Sequence, residues 1–532
     1  MELEIIVYWI LHAVFSVLNF MVFSVLFILR GRKGKTVPPV RNPLLLKSAT
    51  KLAEEIREGK VKSEDVVKAY IDRILEVEPF INGTAERRFE DALKEAREVD
   101  LLVASGNNSK EQLAESKPLL GIPLTVKCMF RVKGLLCTSG SKIFENEMAP
   151  EDAACVASMK KAGAIVISTT NMSECGTDLE TTNKVYGRTC NPYDTNRTCG
   201  GSSGGEGALI GAGASVLGIG NDLLCSIRLP AHFTGIFGHK ATTGLVSNEG
   251  SFPLSRYGPS TEPIENGLNK YLSTGPMCRY AEDLIISMRI LSNDDKVKKT
   301  FGKKVDFKKL KICYLTECKS YMSASFDKEI ITGLKKAVSY FEQNYNVKAK
   351  EVEIPSLLDG IRCVLNRFAI SAGDIADSLS CGKGLNFNVK VDLLKYLFGK
   401  STLTLMPLLI MNFSYLPIWY REDLKPYYDS MVDQWMAEFD NLLEEDTVLL
   451  MPTFPTTAPY NSAILPMIPR SVCTAVFNIT GLPATQCPLG FDKNGLPYGI
   501  QIVGRKNNDA LTIACAVELE KAFGGWKSPG TN

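Results

Sequence analysis

The first apolar stretch is unbroken. Ile5 through Leu29 carries no charge and includes Trp9, Phe15, Phe20, Phe23 and Phe27. A helix spans the hydrocarbon of a bilayer with ~20 such residues, so the pattern predicts a transmembrane helix over about 5–29. Its polar interruptions, His12, Ser16, Asn19 and Ser24, are neutral. A cleaved signal peptide is the competing reading. The run exceeds the ~7–15 residues of a signal core, and no small-x-small site follows it. Glu2 and Glu4 precede the run and Arg30, Arg32, Lys33 and Lys35 follow it, which places the carboxy-terminal part in the cytosol, with the chain on the endoplasmic reticulum or another intracellular membrane.

After a short stiff linker at Thr36-Val37-Pro38-Pro39-Val40 the period becomes helical. Leu52 and Ile56, then Val66, Val67, Tyr70, Ile71, Ile74 and Leu75, recur at helix spacing, with Ser63 as the expected N-cap. From about Pro118 short apolar runs alternate with helical ones. Leu119–Val126 and Ala164–Ser168 read as buried strands, and Ala153–Ala162 as a helix stopped by Gly163. This alternation predicts an α/β fold: a mixed, largely parallel twisted sheet covered by helices on both faces. A second apolar region runs from Leu393 to Tyr420 and is interrupted at Pro407. It reads either as a core helix or as a membrane-dipping cap that walls a lipid entrance. The expected organisation is an anchor over 1–35, a linker over 36–44 and one catalytic domain over 45–532, with its chemistry at about 118–250 and the cap at about 390–420.

Composition narrows the chemistry. With 532 residues, 45% hydrophobic and a net charge of +2, the chain is globular and carries no electrostatic footprint for nucleic acid. The fifteen cysteines include no C-x-x-C pair, the nearest two being Cys313 and Cys318, so zinc spacing is absent. They sit in apolar runs such as Ala154-Cys155-Val156 and Ala514-Cys515-Ala516 and read as small core hydrophobes in a reducing compartment. Sequons at Asn82, Asn107, Asn171, Asn196, Asn412 and Asn478 would matter only with reversed topology. Only three histidines exist, His12, His232 and His239, which leaves two for a serine–histidine pair outside the membrane run.

The densest motif is Gly200-Gly201-Ser202-Ser203-Gly204-Gly205-Glu206-Gly207, followed by Asn221-Asp222-Leu223-Leu224-Cys225-Ser226-Ile227-Arg228-Leu229-Pro230-Ala231. A phosphate loop fails for want of a closing Gly-Lys-Ser/Thr. A dinucleotide fingerprint fails on its glycine spacing. Gly200 to Gly204 formally fits G-x-S-x-G, but His232 and His239 follow too soon for an α/β-hydrolase. The third account is a serine activated without histidine. A lysine can take its proton only if neutral, which burial enforces. Lys127 closes the apolar strand Ile122-Pro123-Leu124-Thr125-Val126 beside Cys128, Met129 and Phe130. Read alone, it is either that base or an ordinary surface lysine, or one paired with a carboxylate such as Glu174.

At this point the chain resembles the amidase-signature family of serine hydrolases. The resemblance is carried in order by Gly121-Ile122-Pro123-Leu124-Thr125-Val126-Lys127, Gly163-Ala164-Ile165, Thr170-Asn171-Met172-Ser173-Glu174, Asn191-Pro192-Tyr193, the glycine-serine block, and Ser226-Ile227-Arg228-Leu229-Pro230-Ala231. Gly235, Gly238-His239-Lys240, Gly481-Leu482-Pro483, Pro488-Leu489-Gly490 and Gly495-Leu496-Pro497-Tyr498-Gly499-Ile500-Gln501 complete it. The resemblance implies a Ser–cis-Ser–Lys triad in which Ser226 is acylated, Ser202 bridges and Lys127 is the base. It further implies an oxyanion hole from the backbone N–H groups of Leu223, Leu224, Cys225 and Ser226. Ser203, Asp222 and Arg228 would support the site, and Gly176 would contact substrate. It implies no metal and no organic cofactor.

One departure stands out: the family usually has two glycines where this chain has Leu224 and Cys225. Glycine there could serve a positive φ or give room beside the substrate carbonyl. Two readings follow. The first is a membrane-anchored amidase that cleaves fatty-acid amides, primary amides and N-acyl amines alike, because an anchor and an apolar entrance suit a lipid substrate. The second is a weak or inactive lipid-binding relative. The expected partners are the lipid amide and the bilayer, with a second copy of the chain as a further one.

Overall fold

The computed structural model describes residues 2–31, 33–251, 267–320, 325–370, 388–413 and 422–531. Its centre is one eleven-stranded sheet. In chain order the strands are β1 (Thr84–Arg87), β2 (Pro123–Lys127), β3 (Ile165–Thr170), β4 (Leu217–Asp222), β5 (Phe237–Lys240) and β6 (Ser273–Cys278). β7 (Lys311–Tyr314), β8 (Ala349–Glu351), β9 (Thr447–Pro452), β10 (Ala484–Phe491) and β11 (Pro497–Gly504) complete it. Their spatial order is β1-β3-β2-β4-β6-β5-β10-β11-β9-β7-β8. Every residue of β2, β3, β4 and β9 is buried, and all but Ser, Thr and the strand-end polar residues are apolar or glycine. Such strands lose the polar-apolar alternation that marks a half-solvated sheet.

The expectation of a largely parallel sheet is corrected. Neighbours β2/β3, β2/β4, β9/β7 and β7/β8 are parallel, and the remaining six pairings are antiparallel. The reason lies in the middle. β6 inserts between β4 and β5 and opposes both, and β10 and β11 form a hairpin through a five-residue turn, Asp492–Leu496. Burial on both faces gives these strands the same apolar texture as parallel ones.

Local boundaries moved by one or two residues, and by four at the start of the first strand. The strands begin at Pro123 and Ile165, after turns, and the helix between them runs Ala154–Lys161 before Gly163. Ser63 is not the cap of its helix, Ser63–Ile81. Its N–H and that of Glu64 donate instead to the Asp100 carboxylate at 2.6 and 3.1 Å, so a neighbouring helix caps this one, and Ser63 Oγ donates to the Gly121 carbonyl. The cysteines among the described residues are free, and twelve are buried.

Glu2–Arg30 forms one helix. Among the described residues, however, no helix is long and apolar enough to cross a membrane, so the expected transmembrane span is not supported. The helix is in contact with the body. The Phe23 ring lies 5.4 Å from that of Tyr460, and the helix touches Leu465–Ser471. The side chains of Trp9, His12, Phe15 and Asn19 lie outside the described residues. The segment that follows is bound rather than free: Gly34 N–H donates to Asp194, Lys35 N–H to Thr195, Thr36 Oγ1 to the Tyr193 carbonyl and Val37 N–H to Pro192.

The second apolar region forms helices Val389–Leu397 and Leu405–Phe413, and its part over 414–420 lies outside the described residues. The first helix exposes Val391, Leu394 and Leu397, with Phe398 behind them, so it is not a core helix.

Candidate active site

Three parallel neighbours, β3, β2 and β4, end on the same edge of the sheet, where open α/β sheets place their ligands. β2 delivers Lys127 there. β4 delivers Asn221 and Asp222 and then turns into the loop that carries Leu223 to Ser226. β3 leads into the loop with Ser173 and Gly176. The fourth component is the turn Gly200–Ser203, which opens the helix Gly204–Gly211. Gly200 holds φ +81°, and a side chain on Gly201 would meet the Asp178 carbonyl oxygen at 2.7 Å. Only glycine fits either position. The Gly201–Ser202 peptide is cis.

Lys127 is fully buried. Its Nζ stands 2.6 Å from Ser202 Oγ and donates to Asn221 Oδ1 at 2.7 Å. Burial pushes this lysine down to about 7, against 10.5 in water. No carboxylate restores the charge by contact. Glu174 is engaged elsewhere, with Ser141 and Thr404. Glu206 accepts from Thr125 and Thr170, and burial pushes it up to about 8. Asp222 is taken by Arg228. A fully buried amine without an ion pair among the described residues can act as a base near neutrality.

The loop 223–226 hangs on a buried ion pair. Arg228 Nη2 and Nε reach the two Asp222 oxygens at 2.9 and 3.1 Å, and both residues are wholly buried. The Asp222 carboxylate also accepts the N–H of Ile227 at 3.0 Å and of Arg228 at 3.3 Å. Burial raises this carboxyl, but the Arg228 charge and these donors more than offset it and hold it below the usual carboxylate range. Arg228 spends its other N–H groups on the Thr474 and Leu224 carbonyls, Gln501 Oε1 and Asn478 Oδ1. Asn478 Nδ2 donates back to the Asp222 carbonyl at 2.7 Å. Asp222 and Arg228 thus clamp both ends of the loop 223–226.

Ser203 ties the two serine segments together. Its N–H donates to the Ser226 carbonyl at 3.2 Å and its hydroxyl to the Asn221 carbonyl at 3.4 Å. Ser173 N–H donates to the Ser202 carbonyl at 3.3 Å, and a methyl group on Gly176 would lie 3.6 Å from Ser202 Oγ. Among the described residues no protein acceptor takes the N–H groups of Leu223, Leu224, Cys225 or Ser226. Neither Leu224 nor Cys225 lies in the left-handed region. The Cys225 side chain is buried with Leu179, Leu229, Phe233 and Phe454, and half-buried Leu224 packs beside it. Side chains larger than glycine are therefore absorbed by the core behind the loop.

Neither histidine serves the serines. His232 is held between the Thr456 carbonyl and Gly499 N–H, and burial pushes it down to about 4. His239 is held by Thr485 Oγ1 and Asp509. Three residues escaped the sequence reading. Asn221 lies beside Asp222 without a motif of its own. Gln501 stood at the end of a quoted run, without a role. Asn478 was a sequon only, yet it is fully buried and braces Asp222.

The sheet edge, the buried lysine and the serine-bearing loop of open amides define an amidase-signature hydrolase, an enzyme of amide C–N bonds, and the chain belongs to that family: it matches Amidase over residues 65–513. Among its relatives it is similar to fatty-acid amide hydrolase 2-B of Danio rerio, 40% identical over 508 residues and 94% of each chain. It is 38% identical over 503 residues, 93% of each chain, to fatty-acid amide hydrolase 2 of Homo sapiens. A solved fatty acid amide hydrolase shares the fold with a TM-score of 0.71 at 20% identity, over 91% of this chain and 86% of that one. A bacterial aryl acylamidase of the amidase signature family gives 0.72 at 20%, over 90% and 97%.

Proposed function

We propose that this enzyme hydrolyses fatty-acid amides, both primary amides and N-acyl amines, to free fatty acid and amine through an acyl-enzyme on Ser226. The observation that carries the reading is the fully buried Lys127 amine 2.6 Å from Ser202 Oγ. In the first half-reaction neutral Lys127 takes the Ser202 proton while Ser202 takes that of Ser226. The Ser226 oxygen bonds to the amide carbon, and the carbonyl oxygen becomes an oxyanion facing the N–H groups of residues 223–226, where one donor is worth about 2.7–4 kcal/mol. The proton returns through Ser202 to the amide nitrogen, the C–N bond breaks, and the amine leaves. Water then repeats the sequence on the ester and releases the acid. The names of the relatives support the substrate class.

The amino-terminal helix is read as a membrane contact. Phe20, Ile28 and Leu29 are more than two-thirds exposed there, an apolar surface that water does not favour. The cationic flank after it and the cysteine usage support a body on the cytosolic side of an intracellular membrane. The inactive alternative rested on Leu224 and Cys225, and their ordinary φ and core packing weigh against it.

A fluorophosphonate probe tests the reading. Labelling of the wild type that disappears in Ser226→Ala, with release of ammonia from an 18-carbon primary amide lost in parallel, is the expected result. A folded wild type that never labels returns the chain to the lipid-binding alternative.

A further inference from the structure

The loop that follows β3 touches the reacting serines at one end and the apolar helix Leu405–Phe413 at the other. Its Ser173 and Gly176 abut Ser202. Between them the Glu174 side chain turns away and is buried, 1% exposed. One carboxylate oxygen accepts from Ser141 Oγ at 2.8 Å. The other accepts from Thr404 N–H at 2.6 Å and Thr404 Oγ1 at 2.7 Å, at the residue that opens the helix. A second tie runs parallel: Lys184 Nζ donates to the Ser401 carbonyl at 2.5 Å. Ser401 Oγ in turn donates to Asp392 at 2.5 Å. The elbow 401–404 is thus fixed to the site by Glu174 and Lys184, two charged groups outside the helix, and it leads into a helix whose own residues are almost all apolar.

The face that this elbow positions is suited to hydrocarbon. Leu405, Met406, Leu409, Ile410 and Met411 are neither sealed in a core nor fully exposed. Met411 packs on the small cluster of Cys137, Phe144 and Ala149, along with Ile143 and Cys175, the neighbour of Gly176. Apolar contacts therefore link Cys175, the neighbour of Gly176, to the helix.

We propose that Glu174 is a positioning residue that clamps the start of helix Leu405–Phe413 beside the reacting serines and thereby sets a preference for long acyl chains. The proposal rests on the amide-hydrolase reading above. On this proposal a four-carbon chain is too short to depend on the helix and is indifferent to the clamp, whereas an 18-carbon chain needs the helix in place. Glu174→Gln keeps the volume but sets an amide N–H₂ against the donors of Thr404 or Ser141, which cannot all be satisfied.

The test uses the full chain and two substrates, an 18-carbon and a 4-carbon primary amide. In Glu174→Gln the ratio of their kcat/KM values is expected to fall by ~tenfold, chiefly through KM for the long substrate, the scale of one hydrogen bond to a buried charge. Backbone hydrogen exchange over 404–413 is expected to quicken by a similar factor, with exchange over 217–222 unchanged. Thr404→Val, which removes one of the three bonds, gives a smaller shift in the same direction and serves if the glutamine variant fails to fold. An unchanged substrate ratio, or both substrates losing rate equally, overturns the proposal. Failure of the parent reading is separate: a wild type that cleaves neither amide sinks the amide reading, and the exchange rates still decide the clamp, unchanged protection overturning it.

Discussion

Two lysines in this enzyme live under almost the same conditions and do different things. Lys127 ends β2 and Lys240 ends β5; each is fully buried, and burial pushes each down to about 7. Lys240 Nζ donates to the Ala241 carbonyl at 3.0 Å and to Ser273 Oγ at 3.2 Å, and the nearby Arg228 charge lowers it further. Beyond it, among the described residues, Ser273 Oγ meets Thr243 and no second reactive serine. Lys127 faces Ser202, on the turn that Ser203 ties to the Ser226 loop. A depressed lysine is therefore a necessary condition for this chemistry and not a sufficient one. On the proposed mechanism, what separates base from structural amine is the hydroxyl that donates its proton to the amine and the open amides around the next serine.

The largest expected effect breaks the symmetry outright. Lys127→Met should lower kcat/KM for a long-chain amide by ~10²–10⁴-fold, the range of a lost general base, and Lys240→Met should change it by less than ~tenfold on the same scale. In the wild type, kcat/KM should fall about tenfold for each pH unit below the Lys127 pKa of about 7, because only the neutral amine accepts a proton. A flat profile from pH 5 to 8, or equal losses in the two variants, would remove Lys127 from the mechanism.

A second effect tests the frame that sets the nucleophile loop. Arg228→Met leaves Asp222 charged, buried and short of its partner, a situation that costs about 3–5 kcal/mol. Urea unfolding should show that loss; a loss below about 1 kcal/mol would mean that Asp222 finds another donor. Asn221→Leu acts more finely. The Asn221 carbonyl accepts from Lys127 Nζ and favours its protonated form, so its removal should move the acid limb to lower pH, with reduced kcat. An acid limb that moves up would reverse the assigned orientation of the Asn221 amide.

How much of this was legible in advance differs by residue. Lys127 could be singled out because a charge closing the run Ile122–Val126 has no local reason to be there. Lys240 closes Phe237–Lys240 in the same way, and no local pattern separates the two, because the separation lies in what faces each amine across the fold. Ser202 and Ser226 were visible through motifs. The braces were not: Arg228 meets Thr474, Asn478 and Gln501 across roughly 250 residues of chain, and nothing near any of these announces the meeting. Strand direction was lost for a related reason, since β4, β6 and β10 are buried on both faces and carry no alternation. The run from Ile5 to Leu29 does not by itself say what covers it, because a charge-free helix looks the same whether lipid or the ring of Tyr460 lies against part of it.

The smallest effect is the most discriminating about burial itself. Unfolded, Lys240 binds its proton up to about 10.5, whereas folded it releases it near 7, so between these values the unfolded chain holds more protons and stability rises with pH. Lys240→Met deletes that dependence. Relative to the wild type the variant should fare best at pH 7 and below, and the difference should turn against it by about 1.4 kcal/mol per pH unit above that, becoming a net loss by about pH 8. The net gain at pH 7 is small, about 1 kcal/mol or less, because the methionine also leaves the Ala241 carbonyl and Ser273 hydroxyl without their donor. Denaturant midpoints at pH 7, 8, 9 and 10 would measure the slope. Lys127→Met should show the same slope while losing catalysis, since the two amines share an environment and differ only in their partners. A difference that stays constant with pH would mean that Lys240 keeps its ordinary affinity for protons inside the fold, and the pairing of the two lysines would then fail at its first premise.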